Sequence, residues 1–579
     1  MTTTSRLRPE RLARRVHDDD AVHRRRWWTL AVLCLSLLIV FVGNSSLNVA
    51  IPSLSRDLGA TESQLQWVIA AYSLVFAGLL FTTGALGDRF GRKGALQAGL
   101  LLFLCGCVAA TLSDQMWQLI ACRAVMGLGA AFIMPSTLSI LVNVFPPEER
   151  TKAIAIWASI TGAAGAIGPV ASGLLLDHFW YGSVFFINVP IVVTALVSGV
   201  FLVPRSRDPE QGVLDPVGAL LSVVGITSVV YGLIEAPEAG WGSPVTLVAF
   251  GVGAAALALF VAWELHVEEP MLDIRFFRNP AFAVGTSGMM LVFLAMFGMM
   301  FLLTQYFQLV LGLSALDAAV RLLPMAPIMM IVAPMTPRLS ARFGANRTVG
   351  VGMLLLGSGF GLLRLLQVDS NAWMVLVALV PMTCGMAMSM SPMTAAIMSA
   401  VPPRRAGAGS AMNDATRELG AALGIAVLGS ITASHYSSAL EGLTAGLPDA
   451  AKETAGSSIA GALRVASELP GRAGEVLRIG AESAFVDGLH FAVAVGAGLA
   501  LLSAALVWRY LPRQLAHEGA MHGALEAAED AAELGLAGVL PVFADEPLAD
   551  DEVAALSEPS DAGSLADAPV SSIEPTRPG

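Results

Sequence analysis

The sequence predicts an all-α membrane protein of fourteen transmembrane helices, and three observations carry that prediction. Of the 579 residues, 55% are hydrophobic and 14% charged, whereas soluble domains carry about a quarter charged residues. Fourteen stretches are apolar over the roughly 20 residues that a bilayer crossing needs. Basic residues collect on every second connecting segment, as the positive-inside rule requires of a chain with both termini in the cytoplasm.

In order, the stretches lie near 28–53, 63–86, 94–112, 117–145, 152–176, 183–203, 214–235, 245–264, 280–304, 315–337, 347–366, 372–400, 406–433 and 485–511. Segment 1–27 brings eight arginines to the membrane, Arg6, Arg8, Arg11, Arg14, Arg15, Arg24, Arg25 and Arg26, and the Trp27-Trp28 pair suits the interface. The first stretch is too long for a signal peptide, and no small-residue cleavage site follows a short apolar core. With fourteen crossings, 25 of the 34 Lys and Arg face the cytoplasm; Arg56, Arg364, Lys452, Arg464, Arg472 and Arg478 face out; Arg123, Arg321 and Arg417 fall in or at the edge of spans. An odd count would scramble this alternation.

The net charge of −11 comes from the end of the chain. From Gln514 to Gly579 there are 14 acids and one arginine, so the body carries about +2. The segment 512–579 has little to bury and reads as an acidic, disordered cytoplasmic tail. All five cysteines (Cys34, Cys105, Cys107, Cys122, Cys384) lie in spans with neither metal-ligand nor disulfide spacing. No Walker A loop, zinc-ligand cluster or hydrolase elbow occurs. The reading is therefore not an enzyme, with no cofactor, no metal and no nucleic-acid partner, and any work done draws on an ion gradient or on that of the substrate.

The loop after span 2 reads Gly84-Ala-Leu-Gly-Asp88-Arg89-Phe90-Gly91-Arg92-Lys93, and the loop after span 10 carries Arg342-Phe343-Gly344 with further basic residues. Two similar six-span halves would place the second copy six spans later; it lies eight later. Two extra spans therefore sit between the halves. The expected division is a bundle at 28–203, a linker with two extra spans at 204–279, and a bundle at 280–511 interrupted by a long extracytoplasmic loop at 434–484. An amphipathic stretch around Ile459–Ile479 would lie on the membrane surface or form a soluble cap.

Four groups of residues carry the expected chemistry. Asp88, at the end of span 2 among Gly84, Arg89, Gly91 and Arg92, is placed to latch onto a cation or a helix N-terminus in one conformation; an ordinary turn with topogenic charges has the same composition. Arg123 sits inside span 4, where it costs on the order of 2.5–3.5 kcal/mol on insertion scales and calls for a cavity or a partner. Gly165, Gly168 and Pro169 in span 5 permit close packing and a bend. Asp414, Arg417 and Glu418 in span 13 share one helix face by their spacing, as a proton site or as a structural ion cluster. Seventeen of the 24 methionines fall between Met289 and Met398, where flexible thioethers suit a cavity for varied apolar shapes as well as lipid contact and helix packing.

Gly84–Leu96, Leu119–Ala131 and Gly162–Gly173 resemble the conserved loop, the span-4 arginine motif and the span-5 antiporter motif of the major facilitator superfamily. Fourteen spans, Gln66-Trp67 through Tyr72, Ile187–Pro190, Asp215–Gly218 and Asn413–Gly420 resemble its fourteen-span drug:proton antiporter branch, over roughly residues 28–511. The resemblance implies two six-helix bundles rocking about a central cavity and export of lipophilic, often cationic compounds in exchange for protons. The candidate cavity residues are Asn44, Asn48, Gln66, Trp67, Tyr72 and Asp317, and the candidate proton-coupling residues are Asp414, Arg417 and Glu418, the charges that span 13 offers, with Arg123. The expected partners are a small lipophilic molecule, protons and the lipid bilayer of the bacterial inner membrane, around a monomer. Export of an endogenous lipid or secondary metabolite, and a transport-inactive receptor or assembly partner, stay open beside drug efflux. One position departs from the branch: Gly43 stands where its members commonly carry a span-1 Asp.

Overall fold

The computed structural model describes residues 9–206, 215–267, 270–401 and 406–513. Among these the secondary structure is helical throughout, with no strand. In order the helices are α1 (Pro9–Leu58), α2 (Glu62–Phe90), α3 (Arg92–Thr111), α4 (Met116–Val144), α5 (Pro147–His178), α6 (Ser183–Phe186), α7 (Asn188–Leu202), α8 (Pro216–Ala239) and α9 (Pro244–His266). There follow α10 (Pro280–Gln305), extended by a π turn at Tyr306–Val310, α11 (Ala315–Leu322), α12 (Met325–Phe343), α13 (Ala345–Leu363) and α14 (Ala372–Ser399). The last are α15 (Ala406–Thr444), α16 (Asp449–Ser457), α17 (Ile459–Glu468) and α18 (Arg472–Tyr510).

Helix starts are written in the sequence. Thr61 caps α2 in a reciprocal box with Gln64, and Ser243, Asn279, Ser314 and Asn371 each accept a backbone N–H at the start of their helices. Asp215 caps α8 ahead of Pro216, whose missing N–H costs nothing at the first helical position.

Among the described residues twelve helical segments are long and apolar enough to cross a membrane. The two other expected crossings, 152–176 and 347–366, are occupied by α5 and α13. In two places helix extends beyond the expected spans. Helix α1 contains the span expected near 28–53 and runs back unbroken to Pro9. The connection 434–484 is largely helical: α15 continues to Thr444, α16 and α17 form a cap, with α17 in the amphipathic stretch expected around Ile459–Ile479, and α18 starts at Arg472. Residues 207–214 of the linker and the tail from 514 lie outside the described residues.

The internal repeat has a structural counterpart. Gly91 (φ +120°) and Gly344 (φ +89°) each close one helix and open the next, in a backbone region where L side chains are strained. Each N–H returns to the carbonyl four residues back, Gly87 and Ser340. The amide after each glycine is then held by the chain just beyond a later helix: Arg92 N–H by Ser206 O (3.0 Å), past α7, and Ala345 N–H by Arg513 O (2.9 Å), past α18.

Packing repeats as well. α2 and α3 lie on α4 and α1 on α5, as α12 and α13 lie on α14 and α10 on α15. Across the two sets, α2 meets α15 and α5 meets α11. Within each set, small residues make the close contacts of α10 with α15 and of α1 with α5. A Cβ on Gly298 would strike the carbonyl of Gly424 and one on Gly424 that of Leu294, while Ser46 Oγ donates to Gly168 O at 3.3 Å. Without a hydrophobic drive between helices in lipid, such close approach supplies the packing energy.

Helices α8 and α9 pair with each other, and α8 lies against α2 and α15. Their base is fastened by two buried acids. Asp215 accepts from Gly218 N–H (2.8 Å) and Trp263 Nε1 (2.9 Å), and Glu264 from Leu272 N–H (3.1 Å). The outer face of α9 exposes Leu247, Val248, Val252 and Leu259, an apolar surface suited to lipid.

Candidate functional site

Arg123 is fully buried about two turns into α4. Gly127, one turn on, has no side chain to hold α4 away from the main chain of Tyr72 on α2. The arginine Nε donates to Val68 O (3.1 Å), Nη1 to Gly43 O (3.2 Å) and Nη2 to Asn44 Oδ1 (3.2 Å). Its guanidinium lies 4.3 Å from the ring centre of Tyr72, whose hydroxyl donates to Val40 O. The charge is thus held by main-chain dipoles and a ring face on α1 and α2. Among the described residues no carboxylate pairs with it. A Cβ at Gly43 would come within 3.0 Å of the Phe103 ring, so the packing around this position suits the glycine, and its carbonyl supplies the acceptor.

Glu418 on α15 reaches across to the other set of helices, where Ser73 Oγ of α2 donates to its Oε2 at 2.8 Å. Ser73 directly follows Tyr72, on whose ring the Arg123 guanidinium rests, so Glu418 is bound next to the residue that carries the arginine. One turn earlier, Asp414 makes a loose pair with Arg417 (3.8 Å), whose guanidinium lies 5.7 Å from the Phe293 ring and whose Nε has no partner. The span-13 trio therefore divides. Asp414 pairs with Arg417 along its own helix, and Glu418 bridges the α2–α15 seam.

The other expected cavity residues spread along the seam. Asn44 holds Arg123. Asn48 is buried with Oδ1 unpartnered, and Gln66 is fully buried with neither end of its amide paired. Trp67 donates to Glu235 (3.0 Å) and packs on Tyr231. Asp317 stands apart, with a well-exposed side chain 3.6 Å from Arg321 at the start of α11. Five methionines, Met296, Met300, Met325, Met382 and Met386, line an apolar cavity between α10, α12, α13 and α14.

At the joint between α2 and α3 Asp88 pairs with Arg92 at 2.7 Å, within its own motif, and Lys93 Nζ donates to Val200 O (2.7 Å) at the C-terminal end of α7. Arg89 lies over Phe90, and Gly84 packs on Pro135. On α5, Gly168 lies against Ser45, and Pro169 is buried one residue on. Gly165 is one turn earlier on the same helix.

Several polar groups were not among the expected site residues. Ser73 is compositionally silent in an apolar span. Glu62, which accepts from Gln305 Nε2 (3.0 Å), and Glu235, which accepts from Ser63 and Trp67, stand in or beside spans. That position is itself the signal that would have found them.

The sequence profile of the Major Facilitator Superfamily matches residues 33–425. The chain is 35% identical to the multidrug efflux pump LfrA of Mycolicibacterium smegmatis over 484 residues, covering 83% of this chain and 96% of that protein. It is 34% identical to the methyl viologen resistance protein SmvA of Salmonella typhimurium (84% and 98% covered) and 32% identical to the tetracenomycin C resistance and export protein of Streptomyces glaucescens (83% and 91%). Among solved structures, a bacterial homolog of the human lysosomal transporter Spinster superposes with a TM-score of 0.59 at 17% identity, covering 84% of this chain and 98% of that one. At that identity the likeness shows the fold alone. The repeated helix packing, the paired glycine joints and the matched profile have one source: this chain belongs to the Major Facilitator Superfamily.

Proposed function

We propose that this protein exports small lipophilic, often cationic compounds across the bacterial inner membrane in exchange for protons. The observation that carries the reading is the Ser73–Glu418 hydrogen bond. It sets an ionisable side chain on the seam between the two sets of helices, beside a buried arginine, where a change in its charge acts on whether the seam is closed. The drug-resistance relatives support the cargo class. A natural-product exporter is the second reading, favoured by the relative named for tetracenomycin C.

The architecture in this reading has fourteen spans, with α5 and α13 completing the twelve apolar segments. Both termini are cytoplasmic, the bundles lie at 28–203 and 280–511, and α8 and α9 sit between them in a monomer. Glu418, Asp414, Arg417 and Arg123 handle the proton. The Asp88 loop, with Gly165, Gly168 and Pro169 on α5, serves gating, and Asn44, Asn48, Gln66, Trp67 and Tyr72 face the cargo. Asp317, exposed at the start of α11, is a peripheral member of that set.

Everted vesicles containing the protein should accumulate a fluorescent cationic dye and release it when a protonophore collapses the pH gradient. Accumulation that survives the protonophore and follows ATP hydrolysis would end this reading. Asp88→Asn removes one partner of a part-exposed pair, worth about 0.2–1 kcal/mol, and touches no cargo-facing residue. It should slow transport several-fold while dye affinity and protein amount stay near wild type. Lost dye binding with normal conformational exchange would move Asp88 into the binding site.

A further inference from the structure

Where α2 begins and α8 ends, a pocket opens between α2, α8, α15, α17 and α18, roofed by the cap. Glu62 and Glu238 line it, and Glu235 stands one turn back on α8, held by Ser63 Oγ (2.9 Å) and Trp67 Nε1 (3.0 Å). Among the described residues no Lys or Arg lines the pocket, and none pairs with these three acids. Gln66 also lines it, fully buried, and both the oxygen and the nitrogen of its amide lack a partner. An unpaired amide in a buried site costs free energy unless something occupies the site. Ile234, Ile459 and Phe485 supply apolar walls. The Tyr436 hydroxyl donates to Ala455 O (3.0 Å) and Ser458 O (3.2 Å), tying α15 to the cap above.

We propose that this pocket is a second binding site, for the charged head of an organic cation. The ammonium or delocalised cation lies between Glu62 and Glu238 with Gln66 as a polar contact, and its apolar body rests against Ile234, Ile459 and Phe485. The walls favour an organic cation over a metal ion, and among the described residues no three His, Cys, Asp or Glu side chains converge as metal ligands. The site lies beyond the Glu418–Arg123 region along the seam and shares Gln66 with the cargo-facing set. Its placement on the outward side rests on the orientation in the export reading, and makes it a station between the central cavity and the exterior. The cap helices α16 and α17 cover it, so loading and release require the cap or the seam to move.

The test uses the full-length protein in oriented proteoliposomes and the membrane-impermeant dication propidium, added from outside and followed by its fluorescence. Wild type should bind it saturably. Glu62→Gln combined with Glu238→Gln should weaken binding by roughly tenfold or more, the scale expected when carboxylates facing a partly desolvated cation are neutralised. Ser437→Lys places an ammonium at the pocket wall while removing only a hydroxyl that donates to its own helix at Ser434 O. It should weaken binding likewise, and it decides the matter if the double variant does not fold. Unchanged propidium affinity in folded variants overturns the site, as does an absence of saturable binding to wild type. Glu418→Gln separates the two readings: it should keep external propidium binding while losing pH-driven efflux. A wild-type protein that binds propidium but shows no pH-driven efflux would overturn the export reading and leave this site standing.

Discussion

Arg123→Ala should reduce pH-driven dye efflux by tenfold or more, and Arg123→Lys should fall between it and wild type. The guanidinium satisfies Val68 O, Gly43 O and Asn44 Oδ1 at once and rests on the Tyr72 ring. Alanine leaves those acceptors unpaired in a dry site, and each hydrogen bond to a charged group contributes about 1.5–3 kcal/mol. Lysine keeps a charge but not the planar fork, so it reaches fewer acceptors and stacks poorly on the ring. Because the residue also fastens α1 and α2 to α4, thermal stability in detergent should fall for alanine. Transport must therefore be normalised to folded protein, read by size-exclusion fluorescence. Near-wild-type efflux for both variants would reduce Arg123 to a packing element.

What the sequence made legible follows from the physics of lipid. Apolar length and basic-residue placement locate the helices because a bilayer enforces both. The Arg-Phe-Gly copies were readable as a repeat because Gly91 and Gly344 occupy backbone that other residues resist. In the connection 434–484 the amphipathic stretch from Ile459 was legible, but the full extent of helix was not, because its polar faces break the hydropathy signal. Its own composition, as in Ile459–Glu468, is nonetheless rich in good helix formers.

The site was half legible. Charges in spans 4 and 13 announced Arg123 and the trio at Asp414, Arg417 and Glu418. Their partners showed only in part: Asn44 was an expected cavity residue, but the other two acceptors of Arg123 are main-chain carbonyls, which no side-chain pattern encodes. Glu418 is met by Ser73, one serine among many, from a helix 345 positions away. The missing acid at Gly43 likewise reads differently once the position is seen packed against Phe103, with its carbonyl turned to the arginine.

Glu418→Gln should abolish uphill efflux driven by a pH gradient while downhill exchange of substrate survives. Glutamine keeps the length of the side chain and an oxygen that can accept from Ser73, so the α2–α15 seam still closes. What it lacks is the ability to change charge, and a carrier whose seam residue is permanently neutral loses the link between proton and conformation. Asp414→Asn should do less, because that carboxylate already has Arg417 at 3.8 Å along its own helix and, among the described residues, makes no hydrogen bond across the seam. Ser73→Ala separates the roles further. It removes a charge-assisted bond of about 1.5–3 kcal/mol that exists only while the seam is closed, and so shifts the closed and open populations by roughly tenfold or more. Uphill and downhill rates should change together in that variant, with coupling retained. In Glu418→Gln they should part company, and vesicles assayed with and without a pH gradient measure both. If the Glu418 and Asp414 single variants and their double pump normally against a gradient, the cluster is structural and the proton travels elsewhere.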